Sequence, residues 1–320
     1  MARRLVVGID LGGTKVSGGI GDLNGEVFHT LEEPTDTTTA QSVVDQVVGL
    51  VRKLASVDRA GEVAAIGVGV PGITDSDTGV VIWAPNLPNW HDIPLGGTLR
   101  AEFRVPVLVE NDVDVAVLGE WWKGAGQGAR NVFLMAIGTG LGGGIIIDGK
   151  LYKGSTGVAG AVGWFVIGED RLFKEEYKEG GSAEVLAAGP GIARRGQARA
   201  RETSSIMTKL AGGRIEDITS RTVFRAASLG DPAAMQVVED TARYLGIVAA
   251  NVISILNPDV LILGGGVAEA GDIIIKPTVE VARAHAQPFS AKHVRIERAL
   301  LGNRAGLIGA LCLAAQAVGT

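Results

Sequence analysis

The sequence predicts an α/β protein of two lobes, and two observations carry that prediction. First, short apolar runs rich in β-branched residues alternate with stretches of helical spacing, as expected for strands and helices arranged around mostly parallel sheets. Second, one pattern of strand, glycine turn, strand and hairpin occurs twice, beginning at Leu5 and again at Val132. A length of 320 residues fits two domains, since a domain takes about 150 residues.

The first part of the chain holds the first copy of this pattern. A buried strand ends in Asp10 and the glycine turn Leu11–Lys15, and a returning strand ends in a hairpin turn at Asp22–Gly25. A stretch of helical spacing follows, and then a second buried strand that ends in Pro71–Gly72. The predicted elements are strands at Leu5–Ile9, Val16–Ile20 and Ala64–Val70, and a helix at Thr39–Ala55.

The second copy begins the remaining part of the chain. Its glycine turn is Gly138–Gly140 and its hairpin turn is Asp148–Gly149, and a later strand leads into Gly264–Gly266. We expect lobes of residues 1–113 and 114–320, with the last helix, 304–318, packed back on the first lobe. The predicted elements are strands at Val132–Ile137, Ile145–Ile147 and Val260–Leu263, and helices at Val113–Trp122, Ala183–Arg199, Ala233–Leu256 and Arg304–Val318.

Composition argues against several classes of function. A net charge of −5 argues against a general nucleic-acid surface, because non-specific binding there needs concentrated Lys and Arg. The single cysteine, Cys312, cannot form an internal disulfide or a cysteine-based metal site, which fits a reducing compartment. Met1–Arg4 leads straight into the first strand, and no apolar stretch reaches the ~20 residues that span a bilayer. We therefore expect a cytoplasmic protein that binds neither nucleic acid nor membrane.

The glycine turns indicate phosphate binding, because phosphate needs several convergent N–H donors with no Cβ in the way. Asp10–Lys15 adds an acid that can reach Mg²⁺ through water and a hydroxyl, that of Thr14, that can reach a phosphate. Gly138–Gly140 is a second such turn, so that one turn from each lobe can hold ATP, and Gly264–Gly266 can admit the adenine. The candidate nucleotide-binding residues are Asp10, Gly12, Gly13, Thr14, Lys15, Gly138, Thr139, Gly140, Gly265 and Gly266.

Any one of these turns alone can also be a simple tight hairpin. Three in order, each after an apolar strand, favour the phosphate interpretation. Two familiar phosphate motifs are absent from the sequence: there is no Gly-x-x-x-x-Gly-Lys-Ser/Thr, and Gly138–Gly144 runs into a strand where a dinucleotide motif needs a helix.

Asp112 is the candidate general base. It follows the strand-like Val107–Glu110 together with Asn111, which presents an amide to hold a hydroxyl beside a carboxylate that takes its proton. Phosphoryl transfer needs mostly positioning and charge stabilisation, so one carboxylate and one metal ion suffice. The alternative is a helix N-cap, which Asn and Asp also favour, and both roles are compatible.

These motifs, in this order and at these spacings, resemble the ROK family of sugar kinases and repressors over essentially the whole chain. That family belongs to the actin-like ATPase group, so the resemblance implies the two-lobed, ribonuclease H-like fold with a mixed sheet flanked by helices in each lobe. The segments that carry the resemblance are Gly8–Lys15, Gly67–Gly72, Ala84–Leu87, Glu110–Asp112, Gly138–Gly144 and Leu263–Gly266.

The resemblance implies an ATP- and Mg²⁺-dependent kinase of a hexose or hexose-like polyol, with glucose first among the substrates. It places Asp10 near the metal through water and Asp112 as base. The candidate sugar-binding residues are Gly72, Asn86, Asn111, Asp112, Trp164 and Glu184. Amino sugars, N-acetyl sugars, fructose and inositol are alternative substrates, and a non-catalytic sugar-sensing regulator is the alternative of another class. The family also implies a homodimer.

Two departures from the family pattern bear on the sugar and on zinc. Ala161–Trp164 stands where members commonly carry Glu-x-Gly-His, whose Glu and His contact the sugar, so this wall of the pocket becomes more apolar. Trp164 either stacks on a ring or fills the space of an absent zinc loop. Glu176–Gly181 has no cysteine where members commonly carry Cys-x-Cys-Gly, and we therefore predict no structural zinc.

Overall fold

The structure is a computed structural model that describes residues 3–57, 61–168, 175–178 and 180–319. The strands are β1 (Arg3–Leu11), β2 (Lys15–Asp22), β3 (Val27–Pro34), β4 (Gly61–Val70), β5 (Ile73–Asp75), β6 (Val80–Trp83), β7 (His91–Ile93), β8 (Val107–Asn111), β9 (Val132–Ile137), β10 (Leu141–Ile147), β11 (Lys150–Leu151), β12 (Val260–Gly264) and β13 (Arg295–Arg298). The helices are α1 (Ala40–Ala55), α2 (Leu95–Phe103), α3 (Asp112–Lys123), α4 (Ser182–Ala187), α5 (Gly189–Glu202), α6 (Ile206–Leu210), α7 (Ser220–Ser228), α8 (Pro232–Leu256), α9 (Asp272–His285), α10 (Pro288–His293) and α11 (Ala305–Gly319).

Two five-stranded sheets repeat one topology. Their orders are β3-β2-β1-β4-β8 and β11-β10-β9-β12-β13, so in each sheet the first strand in the chain is central and the next two lie to one side. This order confirms the internal repeat that the two glycine turns predicted. The strands β5, β6 and β7 form a third, smaller sheet in that order.

The sheets are mixed, as the family resemblance implied, and not mostly parallel as the alternation of elements suggested. In the first sheet β2 pairs antiparallel with both β1 and β3, whereas β1 with β4 and β4 with β8 are parallel. The reason is local: the first three strands follow one another as hairpins with no crossover helix, and a hairpin makes an antiparallel pair.

The chain divides into two compact units. Unit 1 comprises residues 1–130, 144–159 and 300–320, and unit 2 comprises residues 131–143 and 160–299. The sequence placed the lobe boundary after residue 113, at the start of α3, whereas this division keeps α3 in unit 1. α11 lies against α3, β1 and β4, and this packing keeps both α3 and the end of the chain in unit 1.

Small residues make that packing of α11 possible. A Cβ at Gly67 of β4 would run into the Ala310 backbone oxygen, and one at Gly309 would run into the Val115 backbone oxygen. Backbones that approach this closely leave no room for side chains, so glycine is required at both positions. The core of unit 1 also includes the face of α1 that carries Val43, Val47, Leu50 and Leu54, all buried.

The predicted helix Ala183–Arg199 is wrong as a single element. The structure has α4 and α5 instead, separated at Ala188, which has an extended backbone with ψ of 165°. Pro190 accounts for the second helix start, because proline is favoured in the first turn and cannot donate the N–H that a continuous helix would need. Within the described residues, none of the helices combines the length and the apolar character needed to cross a membrane.

Candidate functional site

Asp10 lies near the end of β1, the central strand of the first sheet in unit 1. Its carboxylate packs against the first turn of α11, where a Cβ at Gly306 would lie 2.5 Å from Oδ2. Burial raises the pKa of Asp10 to about 6, and the positive charge of Lys15 opposes that shift. Because Gly306 has no side chain, the Asp10 carboxylate has room beside the helix.

The glycine turn after β1 is held by its own backbone and by Thr35. The Gly12 N–H donates to the Lys15 carbonyl at 2.9 Å, and the Thr35 hydroxyl donates to the Gly12 carbonyl at 2.7 Å. The Lys15 ammonium forms a salt bridge with Glu32 at 2.7 Å, while Thr14 at the tip is exposed. The positive charge of Lys15 therefore lies near Asp10, although the ammonium itself is paired with Glu32. The Thr14 hydroxyl is accessible to a ligand.

Asn86 lies beside this first glycine turn. A Cβ at Gly13 would be 2.6 Å from the Asn86 carbonyl oxygen, so the two backbones are in direct contact. The Asn86 side chain is exposed. The structure therefore brings a candidate sugar residue next to a candidate phosphate turn within unit 1.

Asn111 ends β8 and caps α3. Its Oδ1 accepts from the backbone N–H of Val113 at 2.9 Å and of Asp114 at 3.4 Å, and its Nδ2 donates to the Gly72 carbonyl at 2.8 Å. The N-cap role that the sequence left open thus belongs to Asn111, and Asp112 is the first residue of the helix. The Asn111 side chain also hydrogen-bonds to Asp112, so the amide and the candidate base are held together.

Asp112 is the second carboxylate of this site. Its Oδ1 accepts from the Val113 N–H at 2.9 Å. Burial raises the pKa of Asp112 to about 6, the nearby charge of Asp10 adds to the shift, and the Val113 N–H opposes it. A carboxylate with this pKa is ionised at neutral pH and is a stronger base than an exposed aspartate, which suits proton abstraction.

A buried ionic group lies behind these residues. The Glu110 carboxylate accepts from the Lys153 ammonium at 2.9 Å and from the Ser76 hydroxyl at 2.6 Å. Asp114 is also buried, at 4% exposure, and burial raises its pKa to about 7, helped by Glu110 and opposed by Lys153. Two acids therefore share one ammonium under the strand and helix that carry Asn111 and Asp112.

We expect Asp114→Asn to stabilise the protein at pH 8, by on the order of 2 kcal/mol, because the buried charge is costly. Because the pKa of Asp114 is raised in the folded state, its protonated form stabilises the fold. This contribution is complete below pH 3.8 and is lost as pH rises through about 7. Urea unfolding at pH 8 and pH 5 measures the difference, which should shrink at pH 5. A gain that is the same at both pH values would contradict this account.

In unit 2 a cavity of about 520 Å³ opens at the carboxyl ends of β9 and β12, which are parallel neighbours. Ligands commonly bind at this edge of an α/β sheet. The first turns of α5 and α7 also face it, so backbone N–H groups of two helix starts border the space. The residues that line it are Gly138, Thr139, Gly189, Pro190, Ala193, Ile218, Thr219, Ser220, Arg221, Gly266 and Val267.

The remaining glycines of the two predicted clusters support this wall. Gly265 has a φ of +82° and packs on the backbone of Ile137, whose carbonyl accepts from the Val267 N–H at 2.9 Å. The Gly140 carbonyl accepts from the Gly138 N–H at 2.9 Å, which closes the turn. Gly138, Thr139 and Gly266 thus line the cavity, and Gly140 and Gly265 shape the turns that present them.

Glu184 and Trp164 lie together in unit 2. Glu184 Oε2 accepts from the Leu141 N–H at 2.8 Å. A Cβ at Gly181 would be 2.5 Å from the Trp164 Cα, so the segment before Glu184 packs on the turn that carries Trp164. The Trp164 side chain is 56% exposed, which disfavours a space-filling role and leaves stacking on a ligand as its open alternative. Ala161 is exposed as well.

A model of the ROK family matches residues 6–317. The chain belongs to the ROK family. The glucokinase of Halalkalibacterium halodurans is 35% identical over 312 residues, 97% of this chain and 94% of that protein. The xylose repressor of Caldicellulosiruptor bescii is 28% identical over 323 residues, 96% of this chain and 77% of the repressor.

Solved structures agree with that membership. A ROK glucokinase from Streptomyces griseus in complex with glucose and AMPPNP has a TM-score of 0.79 and 33% identity, covering 98% of this chain and 99% of that one. The ROK hexokinase from Thermus thermophilus has a TM-score of 0.84 and 30% identity, with the same coverage. With mixed sheets flanked by helices, these similarities confirm the predicted actin-like α/β fold class for this ROK protein.

Sequence reasoning missed part of the cavity wall in this ROK protein. The first turns of α5 and α7 carry no phosphate motif, although the chain does mark them as helix starts. Pro190 lies in the first turn of α5, and Thr219 and Thr222 form a capping box at α7. Those signals locate helix starts but not the sheet edge at which they lie.

Proposed function

We propose that this ROK protein is an ATP-dependent kinase that phosphorylates a hydroxyl of a hexose, with glucose as the first substrate to test. Support comes from the glucokinase relatives and from the solved relative that holds glucose and AMPPNP. The observation that carries the proposal is the pair of partly buried carboxylates, Asp10 and Asp112, in unit 1, both with a pKa raised to about 6. A general base is most effective when its pKa lies near the working pH, and Asp112 meets that requirement.

Asp112 acts as the general base in this proposal. The sugar hydroxyl attacks the γ-phosphorus of ATP, its proton passes to the Asp112 carboxylate, and ADP leaves with the bridging oxygen. Asn111 holds the Asp112 carboxylate and lies beside the hydroxyl, and Gly72 and Asn86 complete the proposed contacts to the sugar from unit 1. In unit 2, Glu184 and Trp164 are the proposed sugar contacts.

Asp10 fits the metal that such a reaction requires. Mg²⁺ prefers oxygen ligands, keeps several of its waters and needs only one or two carboxylates from a protein. The Asp10 carboxylate is held against Gly306 beside an exposed turn, and a hard cation would favour its ionised form. When bound, the metal supplies charge neutralisation to the phosphates.

The cavity of unit 2 is the proposed nucleotide site. Its volume of about 520 Å³ suits a nucleoside, and the N–H groups of two helix starts and of the Gly138–Thr139 turn suit phosphate oxygens. Gly266 and Val267 make the wall proposed for the adenine, where the missing Cβ of Gly266 leaves room for a flat ring.

The experiment that tests the proposal is ADP release with ATP and Mg²⁺ across glucose, mannose, fructose, amino and N-acetyl hexoses and inositols. Turnover on glucose at a rate typical of enzymes, about 1 s⁻¹ or faster, supports the proposal. Turnover on another sugar keeps the kinase and corrects the substrate. The absence of ADP release with every sugar would overturn the proposed activity.

A sugar-sensing regulator would be favoured by two results together: no turnover on any sugar, and a higher melting temperature when one of the sugars is added. The observation behind this second candidate is that Ala161 and Trp164 replace the Glu and His by which family members commonly hold the sugar. The xylose repressor relative shows that sequences of this family also occur in regulators. The retained Asp112 favours the enzyme.

We further propose that the protein holds no structural zinc, because Glu176–Gly181 offers no cysteine thiolate. Within the described ranges, no group of three or more His, Cys, Asp and Glu side chains is arranged to hold a metal ion. Stoichiometric zinc in the purified protein would contradict this proposal. The homodimer and the cytoplasmic location stay predictions.

A further inference from the structure

Glu184 bonds directly to the second glycine turn. Its Oε2 accepts from the Leu141 N–H at 2.8 Å, and Leu141 is the residue that follows Gly140. A Cβ at Gly140 would lie 2.7 Å from the same oxygen, so the carboxylate is packed against the turn as well as bonded to it. An acid that the family resemblance assigns to the sugar therefore also contacts the backbone that carries Gly138 and Thr139.

The turn is fixed at two points, and Glu184 supplies one of them. At the other point, the Gly138 carbonyl accepts from the Gly189 N–H of α5 at 2.8 Å. Thr139 and Gly140 lie between these two points, and Gly138 and Thr139 line the cavity of unit 2. Glycine residues have the widest choice of backbone conformations, so a turn built from them needs such external contacts to keep one shape.

We propose that Glu184 is a positioning residue for the nucleotide, which it serves by holding the Gly138–Gly140 turn in the shape that binds phosphate. This inference rests on the proposed function, since it takes the cavity of unit 2 as the ATP site. It adds a second role to an acid whose assigned role is contact with the sugar. The carboxylate acts on the nucleotide through the Leu141 N–H and need not touch ATP itself.

Two substitutions separate this role from charge and from sugar binding. Glu184→Gln keeps an oxygen that accepts from the Leu141 N–H but removes the negative charge, whereas Glu184→Ala removes the acceptor. Glu202→Ala is the matched control, because Glu202 is an exposed acid of the same unit whose partner is Arg199. Melting temperatures of all variants check that each is folded.

The readout is the Kd of Mg·AMPPNP, measured by titration calorimetry without sugar. We expect Glu184→Ala to weaken binding about tenfold, which corresponds to about 1.4 kcal/mol, while Glu184→Gln and Glu202→Ala stay within about twofold of the unmodified protein. In steady-state assays, Glu184→Ala should raise KM for ATP and Glu184→Gln should not, although both should raise KM for the sugar if Glu184 contacts it.

Each other outcome has a distinct meaning. Unchanged Kd values in both Glu184 variants would overturn the positioning role and leave the proposed kinase intact. Equal weakening in Glu184→Ala and Glu184→Gln would also overturn it, because charge and not the acceptor would then matter. A failure of the unmodified protein to bind Mg·AMPPNP would instead count against the proposed function itself.

Discussion

Asp112→Asn should lower kcat by roughly 10²–10⁴-fold while leaving the Kd of the sugar nearly unchanged. The amide has almost the shape of the carboxylate, and its oxygen can still accept from the Val113 N–H, which the structure places 2.9 Å from Oδ1. It cannot take the proton of the attacking hydroxyl, so the loss falls on the chemical step. Removing this partly buried negative charge should not destabilise the fold, because burial disfavours it.

ADP release measures kcat, and calorimetry with the sugar measures binding. Asp272→Asn is the control, because Asp272 is an exposed acid at the start of α9, paired with Lys276, and its replacement should leave kcat within about twofold. Turnover of the unmodified protein should also fall as pH drops through about 6, where Asp112 becomes protonated. An Asp112→Asn protein with half of the normal kcat would exclude this residue as the base.

The positions of Asp10 and Asp112 at the ends of strands could be predicted from the sequence. Both follow apolar strands, and the strand orders confirm the predicted repeat of strand, glycine turn, strand and hairpin, with β1 and β9 each central in its sheet. The parallel pairs β1–β4 and β4–β8 then put the ends of β1 and β8 at one edge of the first sheet. Residues that directly follow apolar strands of such a sheet can be located from the pattern of apolar residues in the sequence.

Other parts of the site depend on contacts that no local pattern encodes. Gly306 looks like any glycine near a helix start, yet it leaves the space for the Asp10 carboxylate from nearly 300 residues away in the chain. The Glu184 bond to Leu141 joins residues 43 apart in sequence. Packing between distant segments decides both, whereas spacing and propensity describe only neighbours in the chain.

The same limit explains why Ala183–Arg199 is wrong as one predicted helix, and why contacts of the last helix cannot be derived residue by residue. The apolar residues of Ala183–Arg199 have helical spacing, but Gly189 and Pro190 begin a new helix there. The placement of the last helix against β1, β4 and α3 depends on backbone contact at glycines such as Gly67 and Gly309. A glycine that permits close packing and one that makes a turn look alike in a single sequence.

Gly306→Ala should lower kcat/KM by about 10²-fold or more while the protein still folds. Gly306 lies in the first turn of α11 with an ordinary negative φ, so the backbone accepts alanine, and alanine favours helix by about 1 kcal/mol over glycine. The added Cβ, however, would lie 2.5 Å from Cγ and Oδ2 of Asp10 and must displace the carboxylate. A misplacement of about 1 Å in a catalytic group can cost 10²-fold in rate.

The matched control is Gly49→Ala, which makes the same change inside α1, where a Cβ meets no atom within 4 Å. That variant should keep full activity and gain up to about 1 kcal/mol of stability. For Gly306→Ala, the dependence of rate on Mg²⁺ concentration locates the defect: if the displaced Asp10 holds the metal through water, higher Mg²⁺ should restore part of the lost rate. Full activity of Gly306→Ala at ordinary Mg²⁺ would show that the position of the Asp10 carboxylate does not matter for catalysis, and the metal role proposed for Asp10 would then fail.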